Sequence, residues 1–224
     1  VVNALEGSGM PGWLLLLLSV PVSIAVCATL NFSIEKVAYR PLRNAPRLAP
    51  LITAMGMSLL LQTVAMIIWK PTIKSYPILL PTEPINVFGA VINTVQILIL
   101  VITAVTLAGL MYLVNYTKLG RAMRATAENP RVAALMGVRP DMVISATFII
   151  GATLAAVAGV MWAANYGTVQ HSMGFLPGLK AFTAAVLGGI GNLGGAMLGG
   201  IVLGLVESFG AGYLSSAYKD AIPF

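Results

Sequence analysis

The sequence predicts an all-α fold, a polytopic set of membrane-crossing helices, and three observations carry that prediction. Hydrophobic residues make up 58% of the 224 and charged residues only 9%, where a soluble domain carries about 25% charged residues. So few charges cannot clothe a globular surface. The apolar residues come in runs that approach the roughly 20 residues a helix needs to cross a hydrocarbon core about 30 Å thick. These runs show no alternation of apolar and polar positions, which argues against a closed β-barrel, the other structure that satisfies its own backbone in lipid.

The first span is expected over about 13–32, interrupted by Pro21, which membrane helices tolerate better than soluble ones. A basic stretch with Lys36, Arg40, Arg43 and Arg47 leads to a second span over about 49–69. The loop after it holds Lys70, Pro71, Lys74, Pro77, Pro81 and Pro84, whose prolines forbid a long helix. A third span over about 92–115 precedes a second basic stretch, Lys118 to Arg139, and a fourth span covers about 142–165. The last segment, 179–213, is apolar but broken by the run Gly188-Gly189-Ile190-Gly191-Asn192-Leu193-Gly194-Gly195, which is expected to form a turn. All of it reads as one transmembrane domain. The chain begins at Val1 and stops at Phe224, just after polar residues, so it is expected to be a fragment of a longer protein.

Charge sets the expected orientation. Lys36, Arg40, Arg43, Arg47, Lys118, Arg121, Arg124, Arg131 and Arg139 are nine of the 13 basic residues. They fall on one side, because two spans separate the two stretches. Lys70, Lys74, Lys180 and Lys219 are assigned to the other side. The positive-inside rule puts the basic stretches in the cytoplasm and places Trp13 and Trp69 at the outer interface. The net charge of +6 is thereby explained without nucleic acid. Cys27 and His171 are the single residues of their types, so neither an internal disulfide nor a thiolate or imidazole metal cage is expected, and no cofactor is implied.

Three features merit weighing. In the cytoplasmic loop, 117–140, Asn129 can cap a helix with Pro130 at its first position, and Gly137 can end it. Val132, Leu135 and Met136 then share a face. This is either a solvated linker helix or a helix that docks onto a soluble partner. In the glycine run, Gly191/Gly195, Gly195/Gly199 and Gly200/Gly204 repeat at the spacing that lets helices approach closely in lipid. Alternatively, the break at Gly188, Gly189, Gly191, Gly194 and Gly195 exposes carbonyls to a transport pathway. No Lys-Ser or Lys-Thr follows to make a phosphate loop. Glu207 lies in an apolar segment, where an acid costs about 2.5–3.5 kcal/mol at the bilayer centre. It needs a polar partner, in a structural or a gating role. Gln62, Asn93, Gln96 and Asn115 are expected to hydrogen-bond between helices. No catalytic constellation is present.

The segment from Gly120 to Val138, with Phe182-Thr183-Ala184-Ala185-Val186-Leu187-Gly188-Gly189-Ile190-Gly191 and Glu35-Lys36-Val37-Ala38-Tyr39-Arg40-Pro41-Leu42-Arg43, resembles the LivH-type permease of branched-chain amino acid ABC importers. The resemblance extends from about Ser33 onward. It implies a multi-pass subunit of the inner, cytoplasmic membrane that carries no catalytic activity. It also implies four further proteins: a second permease sharing the pathway, two ABC ATPase subunits, and a periplasmic or extracellular substrate-binding protein. Permeases of ABC importers carry a cytoplasmic loop with Glu-Ala-Ala and a glycine four residues after the first alanine. This sequence keeps Ala133, Ala134 and Gly137 but has Val132 at the glutamate position, with Glu128 four residues earlier. The implied coupling residues are Glu128, Asn129, Pro130, Arg131, Ala133, Ala134, Leu135 and Gly137. A permease for urea or short amides shares this architecture. A channel or secondary transporter acting alone, and a structural scaffold, are the readings from other classes.

Overall fold

A computed structural model describes residues 12–44, 49–77, 84–87 and 90–213. Arg47, Pro81 and Lys219 lie outside the described residues, as does the side chain of Trp13. Among the described residues eight α-helices follow in order: α1 (Gly12–Ile34), α2 (Ala49–Trp69), α3 (Thr94–Tyr116), α4 (Lys118–Glu128), α5 (Pro130–Leu135), α6 (Pro140–Tyr166), α7 (Phe175–Leu187) and α8 (Leu193–Tyr213). Among the described residues, five helical stretches are long and apolar enough to cross a membrane: Leu17–Leu42, Ile52–Trp69, Thr94–Tyr116, Pro140–Tyr166 and Leu193–Tyr213. Most of their large apolar side chains are exposed. In water that would drive aggregation, whereas in lipid it is the ordinary state of a spanning helix.

The chain divides into two compact units, residues 1–59 with 72–169 and residues 60–71 with 170–224; α2 runs through the boundary. In the first unit α6 is the hub, packed against α1, α3, α4 and α5. Its buried residues include Ala152, Ala156 and Ala163, small enough to let backbones close in. Antiparallel α1 meets it through polar contacts as well. The Asn31 amide donates to the Phe148 carbonyl at 2.7 Å, the Ser145 hydroxyl donates to Glu35 at 2.7 Å, and Arg40 pairs with Asp141 at 3.1 Å. Beyond Ile34 the helix widens into a π turn, Glu35–Tyr39, in which the Arg40 N–H bonds the Glu35 carbonyl, and then tightens into a 3₁₀ turn, Arg40–Asn44.

Short strands organise the loops of this unit. β1 (Lys74–Ser75) pairs antiparallel with β4 (Thr168–Val169), and β2 (Pro84–Val87) with β3 (Ala90–Asn93). The proline-rich loop is thus partly a hairpin. Its second strand takes Ile92 and Asn93 out of the expected third span, which begins at Thr94. Gln96 accepts from the Asn93 N–H at 3.2 Å, a local cap in place of the interhelical bond expected of both residues. Tyr76 sits beside the β1–β4 pair, its N–H on the Gly167 carbonyl at 2.9 Å. Burial pushes its phenol pKa up.

In the second unit, α7 and α8 form a tight antiparallel hairpin. At about 1.5 Å per residue, the 13-residue α7 is too short to cross a bilayer, whereas the 21 residues of α8 suffice. The glycine-broken segment is therefore one short helix and one helix long enough to span.

Candidate functional site

Two places gather the residues singled out by the sequence. The first is the corner between α3 and α6. Thr117 ends α3 and caps α4, its hydroxyl accepting from the Gly120 N–H at 3.1 Å. A Cβ on Gly120 would run into the Val114 carbonyl, so only glycine permits so sharp a turn. Arg124 reaches back to donate to that same carbonyl. The corner is thereby fixed to the end of a span rather than hanging from it.

Asn129 then starts α5. Its side-chain oxygen accepts from the N–H groups of Arg131 at 3.1 Å and Val132 at 3.3 Å, and Pro130, at the first helical position, has no N–H to satisfy. Gly137 ends the helix with φ +84°, a conformation that side chains resist. Between these stops the helix divides its residues sharply. Ala133 is buried at 3% exposure, while Leu135 and Met136 stand at 87% and 81%. Glu128, Arg131, Val132 and Ala134 are exposed too. Ala133 was grouped with Ala134 as an implied coupling residue, but its side chain faces its own chain and is absent from the surface a partner would meet.

The second place is the α7–α8 hairpin, where the glycines divide their work. Gly189 and Gly191 adopt φ +89° and +96° in the turn. A Cβ on Gly188 would strike the Gly195 carbonyl, one on Gly195 the Gly188 carbonyl, and one on Gly199 the Ala184 carbonyl. Gly194 has room for a side chain, as do Gly200 and Gly204. The Asn192 side chain caps α8, accepting from the Gly195 N–H at 3.1 Å. Of the paired small residues, Gly195 and Gly199 meet α7, whereas Gly200 and Gly204 face open space.

Glu207, on α8, meets the Lys180 ammonium of α7 at 2.9 Å, with side chains 18% and 22% exposed. The charge count assigns Lys180 to the outer side together with the loop residues Lys70 and Lys74. Lys180 belongs instead to a helix, where it supplies the partner that an acid in an apolar segment requires. Its position within the apolar run 179–187 was the available signal. A second group that sequence reasoning passed over is Glu35, 1% exposed and bound to Ser145 in the first unit. An acid at the end of an apolar span could have marked it. Among the described residues no cluster of His, Cys, Asp or Glu could hold a metal ion.

Comparison with known proteins settles the family. The model for the permease component of branched-chain amino acid transport systems matches residues 2–224. The chain belongs to that family. This permease is 46% identical over 215 residues to the high-affinity branched-chain amino acid transport system permease protein BraD of Pseudomonas aeruginosa, covering 94% of this chain and 70% of the relative. It is 42% identical over 229 residues to the corresponding LivH of Escherichia coli K12, covering 100% and 74%, and 43% identical over 229 residues to LivH of Salmonella typhimurium, again covering 100% and 74%. No solved structure matches it significantly. With its five candidate spans, this permease is a multi-pass membrane protein.

Proposed function

We propose that this chain is the permease subunit of an ATP-driven ABC importer of the branched-chain amino acids Leu, Ile and Val, set in the cytoplasmic membrane. The observation that carries the reading is the family match across residues 2–224, with relatives named as high-affinity branched-chain amino acid permeases. A second permease completes the translocation pathway. Two ABC ATPase subunits bind on the cytoplasmic side, and a periplasmic or extracellular binding protein delivers substrate. The chain itself catalyses nothing. ATP hydrolysis on its partners shifts the balance between outward- and inward-facing packings, which requires that the partners bind the two packings unequally.

The corner from Glu128 to Gly137 is the ATPase contact in this reading. A six-residue helix capped at both ends, with Leu135 and Met136 bare, offers an apolar knob to a groove on a soluble subunit. Its anchorage to α3 through Gly120 and Arg124 lets a push on the knob reach a span. The test is reconstitution of the full-length permease with its partners. Accumulation of leucine, isoleucine and valine that depends on ATP supports the reading. Uptake without any ATPase favours a self-sufficient channel or secondary transporter, and preference for urea or short amides moves the substrate class. The variant Ala134→Arg adds bulk and charge to the exposed side of α5. It should insert normally yet lose ATPase co-purification and substrate-stimulated hydrolysis; wild-type values in both would reduce the corner to a linker.

A further inference from the structure

The Lys180–Glu207 pair borders an open space. On α8, Leu203, Gly204 and Gly200 lie four, three and seven residues before Glu207, which puts all four on one helix face. Two of those positions carry no side chain, and a Cβ at either would meet nothing within 4 Å. Lys180 and Ala184 of α7 form the opposite wall. Together these six residues line most of a groove of about 200 Å³. One side of the groove is therefore charged in both senses, its floor is bare backbone, and its remaining wall is aliphatic.

A larger groove, between α3 and α6 in the other unit, has a different character. It is lined by Ile102, Thr106, Leu154, Met161 and Trp162, among others, and the Thr106 hydroxyl is already donated to the Ile102 carbonyl at 2.8 Å. It has apolar area to offer but no charge with which to orient a polar molecule. The α7–α8 groove has both.

Resting on the import reading above, we propose that the Lys180–Glu207 pair and its glycine floor form a transient subsite for the zwitterionic head of an α-amino acid. The substrate carboxylate takes Lys180, the substrate ammonium takes Glu207, and the aliphatic side chain lies along Ala184 and Leu203. Electrostatics supply the logic. Opening a largely buried ion pair is costly because each poorly solvated charge gives up its attraction to the other. A zwitterion carries both counter-charges one carbon apart, so it can part the pair while giving each member a new partner. A lone cation or anion replaces the counter-charge of only one member. The pair is thus a latch that opens for a molecule charged in both senses and closes behind it, which also opposes ion leakage.

Two variants of the full-length permease, each assembled into the complete importer, test this. Lys180→Met with Glu207→Leu replaces the ion pair by apolar groups of similar length, a change that buried pairs usually tolerate structurally. Gly204→Leu fills the floor and leaves both charges in place. Each should assemble with its partners and keep its thermal transition, yet import leucine at least tenfold more slowly than wild type. Import within twofold of wild type in both overturns the subsite and leaves the pair a structural clasp. Loss of the second permease on Gly204→Leu also overturns it, because the groove is then a subunit interface. A wild-type importer that moves no amino acid refutes the functional reading itself, and the ligand class with it; the variants fail separately only against a working wild type.

Discussion

Asn129 is the residue on which the corner between α4 and α5 depends, and its removal has a calculable cost. α5 is only six residues long, well under the roughly 12–15 at which an isolated helix holds in water. Its start rests on one side chain, whose oxygen accepts from the Arg131 and Val132 N–H groups. Replacing such a cap by alanine costs about 1 kcal/mol, within a range of about 0.5–2. At about 1.4 kcal/mol per factor of ten, the ordered form of α5 becomes roughly fivefold less favoured. Where the ordered helix only marginally dominates, the competent fraction, and with it the apparent affinity for a partner that requires it, falls about two- to threefold. Asn129→Ala should therefore raise amide hydrogen exchange over 131–136 and weaken ATPase binding by about two- to threefold, while Asn129→Asp, which keeps an acceptor in place, should restore both. Titrating purified ATPase subunits onto the full-length permease in lipid nanodiscs measures the affinity. Unchanged exchange in the alanine variant, or an aspartate variant as impaired as alanine, would refute the reasoning.

Three other perturbations have defined outcomes. Glu35→Ala removes the acceptor of the Ser145 hydroxyl in a site 1% exposed; the loss should be about 1–3 kcal/mol, seen as a lower thermal transition in detergent, and Ser145→Ala on top of it should add less than it does alone. Gly195→Ala forces a Cβ against the Gly188 backbone and should destabilise the hairpin by about 1–3 kcal/mol, whereas Gly194→Ala should be neutral or slightly stabilising; equal behaviour of the two would contradict the close approach. In a Cys27→Ser background, an impermeant thiol reagent on intact cells should label Lys74→Cys and spare Arg131→Cys, and the reverse pattern would invert the proposed orientation.

Local features were legible in the sequence, and distant ones were not, for a physical reason. The Asn129 cap and the Gly137 stop involve residues two to five positions apart, so residue type and order nearly determine them. The positive-φ turn at Gly189 and Gly191 is similarly local. The inward turn of Ala133 depends on which side of a short helix meets α6, which spacing alone leaves open. The Lys180–Glu207 pair joins residues 27 apart across a turn whose geometry sets the register of the whole hairpin. Nor did the small-residue spacing distinguish Gly195 and Gly199, pressed against α7, from Gly200 and Gly204, which face a void. The same pattern serves contact and cavity, and only the facing helix tells them apart.

The π turn at Glu35–Tyr39 has a consequence for insertion and deletion. Along α1 and its continuation, the polar contacts to α6 come from Asn31, Glu35 and Arg40, steps of four and then five. In an unbroken α-helix at 100° per residue, the fifth residue would point well away from the first. The wide turn, closed by the Arg40 N–H on the Glu35 carbonyl, absorbs one residue and returns Arg40 to Asp141. Val37, 74% exposed, lies in that turn. Its deletion should collapse the turn to α-helix with both contacts intact, whereas the same deletion inside 17–31 would swing one half of the span by about 100° against its neighbour. The segment is a splice point in the helix, a place where chain length can change by one without turning what lies on either side.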